Sequence, residues 1–335
     1  MRILITGISG FIGQHLVEAF VADDHDVHGI YEHLTSRIKN PLLPAENQHV
    51  VNLTDHEGVE KVIAKVQPEV VLHMASRSEV ALSFRNYIEV SNVNYVAAVN
   101  LAEACRQHAL DFKAFIFAST MEAYGNAQPL TGAKVFTEET PQYPMAPYAV
   151  AKLATEKYLA YMGYAYDFPH IIMRQTNTYG RRDNTFFIVE RIVSQMLTGD
   201  ECNLGVAWPV RNFLFITDLV EFYRTLIAKM PVGETFVTGP PNAVTIGELA
   251  ELIALKLNWH GTINWNTVPE RAAEVPYLNS DGAKARRMLG WEPKVSLSDG
   301  LDRCIEYWRD HPDGPTQPTW EQRLVYWRQL GESAA

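Results

Sequence analysis

Residues 2–13 read RILITGISGFIG, an apolar run followed at once by three glycines at a spacing of three. The apolar run indicates a buried strand, and the pattern at 14–22 indicates a helix. Gly7 permits a tight turn, Gly10 lets the backbone approach a pyrophosphate, and Gly13 lets the helix pack closely on the strand. The helix N-terminus then presents N–H groups to the phosphates. This stretch predicts a dinucleotide site, although glycines so spaced also occur in ordinary strand–turn–helix connections.

Strand and helix patterns alternate through the rest of the first half of the chain. Apolar runs predict strands at 26–31, 50–55, 68–76, 115–118 and 169–174, and amphipathic patterns predict helices at 56–66 and 92–108. Such alternation indicates a parallel sheet covered by helices on both faces. We therefore predict an α/β fold, a Rossmann-type doubly wound parallel sheet, with ligands outside the carboxyl ends of its strands.

The second half of the chain continues the alternation with shorter elements. A strand is predicted at 235–239, and helices are predicted at 186–197, 218–229, 246–257, 281–289, 297–308 and 320–329. Residues 175–183 are expected to form a polar loop. Because no clean linker separates the halves, we expect a smaller C-terminal α/β domain interleaved with the first. The predicted dinucleotide-binding domain is 1–174, with parts of 205–240 returning to it, and 175–335 is mainly a substrate-binding domain.

Composition excludes several classes of protein. The 335 residues carry a net charge of -10 without a basic stripe, which argues against a nucleic-acid-binding protein. The three cysteines are far apart, so neither a disulfide framework nor a metal site is expected, and a reducing, cytoplasmic location is favoured. No apolar run reaches the roughly 18 residues of a membrane span, and a strand starting at residue 2 leaves no room for a signal peptide.

The end of the second predicted strand bears on the choice of cofactor. Glu32 would hold the adenosine ribose hydroxyls and repel a 2′-phosphate, whereas His33 and Arg37 would favour that phosphate. We expect NAD rather than NADP. Asn52 would either contact the adenine or cap a turn. The residues expected to line the dinucleotide before the catalytic groups are Gly7, Gly10, Phe11, Ile12, Gly13, Glu32, Asn52, Leu53, Met74, Ala75 and Ser76.

Four polar side chains follow the strand predicted at 115–118. Thr120 and Glu122 come directly after it, and Tyr148 and Lys152 are four residues apart, so on a helix they share one face. A tyrosine has a pKa near about 10, and a neighbouring cation favours its phenolate. Together a hydroxyl, a carboxylate, a phenol and an ammonium group suit removal of a proton from an alcohol while a hydride leaves its carbon. Tyr148 and Lys152 would also contact the cofactor.

Several motifs together resemble the extended short-chain dehydrogenase/reductase family. They are TGISGFIG at 6–13, TMEAYG at 120–125, YAVAK at 148–152, RQTNTYG at 174–180, VRNFLFITD at 210–218 and RAAEV at 271–275. The resemblance covers nearly the whole chain and implies an NAD-dependent nucleotide-sugar epimerase or dehydratase. TMEAYG and RAAEV look most like the GDP-mannose 4,6-dehydratase branch.

The resemblance implies roles for particular residues. Tyr148 would take the proton from the sugar hydroxyl, Lys152 would hold the nicotinamide ribose and lower the tyrosine pKa, and Thr120 would hydrogen-bond the reacting oxygen. The residues expected to bind the nucleotide diphosphate are Asn177, Arg182, Arg211 and Arg271; guanidinium groups suit phosphate, although surface salt bridges are the plainer interpretation of the last two. A homodimer is implied, through helices 92–108 and 148–163.

Glu122 separates the reactions open to such a protein. Oxidation at C4 makes the C5 proton acidic, and a carboxylate can remove it while water leaves from C6. This favours a 4,6- or 5,6-dehydratase over a 4-epimerase, although nucleotide-sugar decarboxylases of the family also carry a Thr-x-Glu. Met121 stands where some dehydratases carry an Asp that protonates the leaving hydroxyl, and Met cannot do so. A non-catalytic dinucleotide-binding regulator is a further alternative.

Overall fold

The computed structural model describes residues 1–32, 43–181, 184–240, 242–268 and 271–310. The predictions that lie outside the described residues are those for His33, Arg37 and Arg182 and the helix at 320–329. The strands are β1 (Arg2–Thr6), β2 (Asp26–Tyr31), β3 (Gln48–Val50), β4 (Val70–His73), β5 (Ala114–Thr120), β6 (His170–Gln175), β7 (Asn177–Tyr179), β8 (Glu201–Asn203), β9 (Val210–Arg211), β10 (Phe213–Phe215), β11 (Thr235–Val237), β12 (Val244–Thr245), β13 (Thr262–Asn264) and β14 (Tyr277–Leu278). The α-helices are α1 (Phe11–Ala22), α2 (His56–Val66), α3 (Val80–Ser83), α4 (Tyr87–Ser91), α5 (Ala97–His108), α6 (Ala127–Thr131), α7 (Pro147–Tyr166), α8 (Ile188–Thr198), α9 (Ile216–Lys229), α10 (Ile246–Leu257), α11 (Ala283–Leu289) and α12 (Leu297–Asp310).

Seven of these strands form one parallel sheet in the order β3-β2-β1-β4-β5-β6-β11. The strand order reverses between β1 and β4, because the chain builds outward from β1 to β3 and then returns to the other side of β1. In such a sheet the ligand crevice lies outside the carboxyl ends of the strands at the reversal. The predicted doubly wound Rossmann-type fold is confirmed.

Successive residues of a strand point to opposite faces of this sheet, and both faces are covered. Ile3 and Ile5 of β1 belong to an apolar cluster that includes α1 and α9. Leu4 belongs to a second cluster that includes α2, α5 and α7. Because nearly every side chain of such a strand is buried, the central strands are nearly continuous apolar runs rather than alternating ones.

The second half of the chain forms three small sheets and also completes the large one. β7 pairs with β10, β8 pairs with β13, and β9 lies between β12 and β14. β11 instead pairs with β6 as the seventh strand of the main sheet. A smaller α/β part interleaved with the first half is therefore present as predicted, while the division at 174/175 remains a prediction. No helix within the described ranges is both long and apolar enough to cross a membrane.

The strand predicted at 50–55 is wrong. β3 ends at Val50, and the next residues form a turn. Asn52 Oδ1 accepts hydrogen bonds from the N–H and the hydroxyl of Thr54, at 2.9 and 2.8 Å. The Asp55 side chain then caps α2 by accepting a hydrogen bond from a backbone N–H. Short polar side chains compete with strand pairing through such local bonds, which ends the strand early.

Two other boundaries differ from prediction. The polar loop expected at 175–183 contains β7, whose residues pair with β10 and not with a neighbour in sequence. The helix expected at 92–108 is preceded directly by α4 and joined to α5 by a π-helical segment, Asn92–Val96. Helical backbone therefore runs from Tyr87 to His108. π-Turns inside helices often accompany functional sites, and this one lies near the ligand crevice.

Candidate functional site

The glycine loop between β1 and α1 is tightly closed. Gly7 has φ +72°, a conformation that side chains disfavour, and its carbonyl accepts a hydrogen bond from Gly10 N–H at 2.9 Å. A Cβ on Gly13 would lie 2.2 Å from the Gly7 carbonyl oxygen, so only glycine fits there. Gly10 is the N-cap of α1 and offers no capping side chain. Phe11 and Ile12 follow in the first turn, whose N–H groups can therefore receive an anion.

The segment after β4 forms the facing wall of the crevice. Thr6 Oγ1 accepts hydrogen bonds from the N–H groups of Met74 and Ala75, at 3.1 and 3.0 Å. This ties the carboxyl ends of β1 and β4 together at the point where the strand order reverses. A Cβ on Gly7 would lie 3.0 Å from the Ala75 backbone, so the two loops touch. The loops after β1 and β4, which carry residues predicted to line the dinucleotide, are therefore in contact.

Glu32 lies at the carboxyl end of β2, where a ribose-binding residue was expected. Its carboxylate is paired with Arg77, whose Nη2 lies 3.2 Å from Glu32 Oε2, and Arg77 Nε donates to Glu89 Oε1 at 3.0 Å. Ser76 and the Arg77 backbone N–H both donate to Asn94 Oδ1, at 3.1 and 2.8 Å. Arg77 thus stands between two carboxylates at the carboxyl edge of the main sheet.

Asn52 and Leu53 are less directly placed for ligand contact. The side chain of Asn52 is engaged in its own turn, which favours the turn-cap interpretation of this residue. The Leu53 side chain is buried in the apolar cluster shared with α2 and α5. The Leu53 carbonyl accepts a hydrogen bond from Asn100 at 3.1 Å.

Thr120, Glu122 and Tyr148 meet at the carboxyl end of β5. Thr120 is the last residue of the strand, and its hydroxyl accepts a hydrogen bond from Glu122 N–H at 3.1 Å. Tyr148 lies in the first turn of α7, with its hydroxyl close enough to that of Thr120 to influence it. Burial raises the pKa of Tyr148 above its ordinary value, the Thr120 hydroxyl acts against this shift, and the charges of Glu122 and Glu79 add to it.

Lys152 lies one turn further along α7 and is 1% exposed. Its Nζ donates to the Ala118 carbonyl at 2.8 Å and lies 4.8 Å from the centre of the Phe117 ring. Burial lowers the pKa of Lys152 to about 7, against the opposing charge of Glu156. Burial is the largest cause of both pKa shifts, so the lowering of the Tyr148 pKa by Lys152 stays a prediction.

Glu122 is 8% exposed, and its Oε2 has no hydrogen-bond partner among the described residues. Its charge raises the pKa of Tyr148 and opposes the lowering of the Arg211 pKa, so the carboxylate interacts electrostatically with both groups. Met121 turns the other way, into an apolar cluster with Tyr124 and Phe136. The adjacent positions thus present one carboxylate toward the site and one thioether toward the core.

Arg211 and Arg271 lie on the side of the smaller α/β part and share one carboxylate. Arg211 Nη2 donates to Glu274 Oε1 and to the Val275 carbonyl, both at 2.8 Å, and Arg271 Nε lies 3.6 Å from Glu274 Oε2. Burial lowers the pKa of Arg211 against the charges of Glu122 and Glu274. Asn177 lies on β7, in register with Phe213 two residues after Arg211.

A buried ionic network under the strand ends was missed by sequence reasoning. Arg174 Nη2 donates to Glu156 Oε2 at 2.7 Å, and Arg174 Nη1 donates to Tyr124 Oη at 2.9 Å. Ser119 donates to the same Glu156 carboxylate. The network fixes β5 against β6 and α7, and with them Thr120 and Tyr148. Its signal in the sequence was the pair of polar residues, Ser119 and Arg174, at two strand ends.

Two further polar residues near the site were also missed. Arg77 and Glu79 follow β4 at the same edge of the sheet, where the strand-end rule would have predicted ligand contacts had it been extended past Ser76. Val80, next to Glu79, packs against the apolar cluster that contains Tyr148. Within the described residues, no group of three or more His, Cys, Asp or Glu side chains is placed to hold a metal ion.

Comparison with known proteins gives the same family over most of the chain. A family model described as GDP-mannose 4,6 dehydratase matches residues 4–304. The human dTDP-D-glucose 4,6-dehydratase is 29% identical over 329 residues, covering 92% of this chain and 90% of that protein.

Solved structures agree with this relationship. The Thermotoga maritima UDP-glucose 4-epimerase with UDP-glucose is 30% identical with a TM-score of 0.83, covering 93% of this chain and 99% of the other. The Thermus thermophilus UDP-glucose 4-epimerase in complex with NAD is 27% identical with a TM-score of 0.82, covering 92% and 99%. Fold, motifs and family model thus agree, and the chain belongs to the extended short-chain dehydrogenase/reductase family of nucleotide-sugar epimerases and dehydratases.

Proposed function

We propose that this protein is an NAD-dependent nucleotide-sugar dehydratase, of the 4,6 or 5,6 type, that works by transient oxidation at C4. The observation that carries the proposal is Glu122, a buried carboxylate with one oxygen unpartnered among the described residues, beside Tyr148. A carboxylate in that position can exchange a proton with a sugar carbon next to the reacting one. Epimerisation at C4 alone requires no such carboxylate.

The residues of the crevice fit NAD. The first turn of α1 can receive a pyrophosphate, Gly7, Gly10 and Gly13 leave the backbone room to approach it, and Glu32 can accept hydrogen bonds from ribose hydroxyls. Bound NAD would accept the hydride from C4 and would return it either to C6, with a proton added at C5, in a 4,6-dehydration, or to C4 in a 5,6-dehydration. The relative that carries NAD in its solved structure supports this choice.

The phenolate form of Tyr148 takes the proton of the C4 hydroxyl, while the Thr120 hydroxyl orients the phenolate oxygen. The raised pKa of the buried Tyr148 means that proton removal needs a nearby positive charge, and Lys152 on the same face of α7 is the protein group placed to supply it. Once C4 is a ketone, Glu122 removes the C5 proton, because the resulting carbanion is conjugated with the ketone. The protonated Glu122 then returns that proton to the hydroxyl leaving C6, and water is lost.

Asn177, Arg182, Arg211 and Arg271 are the proposed substrate-binding residues. Glu274 holds the guanidinium groups of Arg211 and Arg271, and a diphosphate would compete with it for them. Arg211 is 5% exposed and close enough to Glu122 for their charges to interact. The substrate would therefore extend from the diphosphate at Arg211 to the sugar at Glu122.

Incubation of the protein with UDP-, dTDP- and GDP-hexoses, followed by mass spectrometry, tests the reaction. Loss of the mass of one water from one of these substrates is the expected result. An isomer of unchanged mass would instead identify a 4-epimerase. This is the second candidate, because Met121 cannot act as an acid and several relatives are named as epimerases. Loss of carbon dioxide from a uronic-acid substrate would identify a decarboxylase. Binding of the dinucleotide without any turnover would identify a non-catalytic regulator.

We also propose a homodimer formed through α5 and α7. Apolar side chains on one stripe of α7 are exposed: Val150 by 53%, Tyr161 by 47% and Tyr164 by 94%. Val150, Tyr161 and Tyr164 lie at the spacing of a helix–helix seam, with the exposed Lys157 at the position between them. Light scattering coupled to gel filtration is expected to give twice the mass of the chain. The double variant Val150→Glu with Tyr161→Glu is expected to give the mass of a single chain. We place the protein in the cytoplasm, in keeping with three buried free thiols.

A further inference from the structure

Glu32 and Arg77 face each other across the carboxyl edge of the main sheet. Glu32 follows β2, Arg77 follows β4, and β1 lies between these two strands. Arg77 Nη2 lies 3.2 Å from Glu32 Oε2, and its Nε lies 3.0 Å from Glu89 Oε1. One guanidinium group therefore bridges two carboxylates, at the place where the adenosine ribose of the proposed cofactor would lie.

This arrangement is fixed by the fold. Asn94 accepts a hydrogen bond from the Arg77 N–H at 2.8 Å and donates one to the Arg77 carbonyl at 3.1 Å, which holds the backbone of Arg77 on both sides. The side chain of Arg77 is 17% exposed, and those of Glu32 and Glu89 are each 33% exposed. Such a partly buried, multiply bonded guanidinium is held more firmly than one in an exposed surface pair.

We propose that Arg77 is a specificity-determining residue of the cofactor site. It fixes the Glu32 carboxylate toward the ribose, and its guanidinium group can itself bind a 2′-phosphate when the Glu32 charge is removed. This inference rests on the proposed function. With Glu32 present, the three side chains Glu32, Arg77 and Glu89 carry one net negative charge, which repels a phosphate and accepts hydrogen bonds from ribose hydroxyls. Without the Glu32 charge, the cluster is neutral and the guanidinium can grip phosphate oxygens in a bidentate way.

The test compares the affinities of the full chain for NAD and NADP by isothermal titration calorimetry. In Glu32→Gln, which keeps the shape of the side chain, the affinity for NADP relative to NAD is expected to rise by at least about tenfold, the scale of one charge-assisted hydrogen bond. The double variant Glu32→Gln with Arg77→Met is expected to lose that gain. Arg77→Met alone is expected to weaken NAD binding without improving NADP binding.

The matched control is Arg106→Met on α5. Arg106 pairs with Glu103 at 2.8 Å, away from the crevice, so the same substitution there should leave both affinities unchanged. Circular dichroism and the thermal midpoint show whether each variant is folded.

Three results would overturn the inference. One is a gain in NADP affinity that persists in the double variant, since another cation would then be responsible. The others are a folded Glu32→Gln protein that binds NAD but gains nothing for NADP, and one that binds neither cofactor. A wild-type protein that binds neither NAD nor NADP would instead contradict the proposed function itself.

Discussion

Glu122 is the residue on which the proposed reaction depends. Glu122→Gln keeps the shape of the side chain but removes the base, so water loss is expected to slow by roughly 10²–10⁴-fold, the usual contribution of one general acid–base group. Incorporation of solvent deuterium at C5 should fall in parallel. Tyr148→Phe is expected to abolish both processes while NAD stays bound. A Glu122→Gln variant that still loses water at the wild-type rate would show that another group handles the C5 proton.

The direction of the Met121 side chain could not be predicted from the sequence. Its neighbour Glu122 faces the site, whereas Met121 packs with Phe136 and Val275, and Ser280 donates a hydrogen bond to its sulfur at 3.3 Å. TMEAYG predicted which residue types stand at the strand end, but not which of them point inward. That depends on the short 3₁₀ segment, Met121–Ala123, and on contacts from residues more than a hundred positions away.

Met121→Asp is therefore expected to damage the fold without supplying a missing catalytic acid. The new carboxylate would be buried in an apolar cluster, at a cost of at least about 2 kcal/mol. Met121→Leu, which conserves volume, should cost less than about 1.5 kcal/mol. Thermal unfolding of both variants checks that Met121→Asp is the less stable one. A stable Met121→Asp protein with faster turnover would contradict the prediction.

Among the elements, the glycine loop is the most sensitive to a single atom. In Gly13→Ala the new Cβ would meet the Gly7 carbonyl at 2.2 Å, so α1 must move away from β1. Overpacking of this kind costs roughly 1–3 kcal/mol, and affinity for NAD should fall with it. Gly205→Ala is the control, because a Cβ there meets nothing within 4 Å. Equal NAD affinity in the two variants, measured by calorimetry, would argue against a role for the loop.

Elements decided by local chemistry were predictable, and those decided by distant partners were not. The sequence pattern of Thr245 and Glu248 predicts a capping box, and the structure has one at the start of α10. By contrast, β7 is a strand only because β10, more than thirty residues later, pairs with it. Glu32 was expected at its strand end, but its pairing with Arg77 depends on the order of strands in the sheet, which no local pattern contains.

At the scale of the whole molecule, the buried Lys152 links stability to pH. Its pKa in the folded protein is about 7, below the ordinary lysine value of 10.5. Between these values the unfolded chain binds one more proton than the folded protein, so this group makes stability rise with pH, by up to about 1.4 kcal/mol per unit. Between about pH 7 and pH 8.5, thermal midpoints should rise more in the wild type than in Lys152→Met, because ionisation of the cysteine thiols affects both proteins equally. Equal rises would show that Lys152 remains charged when buried.

The position of β11 has a consequence for the order in which the protein folds. Residues 235–237 complete an edge of a sheet whose other six strands all lie within the first 175 residues. While the chain emerges from the ribosome, β6 is therefore an open edge with unpaired N–H and C=O groups until about sixty further residues have been made. An open edge of that kind can join the wrong strand, so a nascent chain stalled in this interval is the form of the molecule most in need of a chaperone.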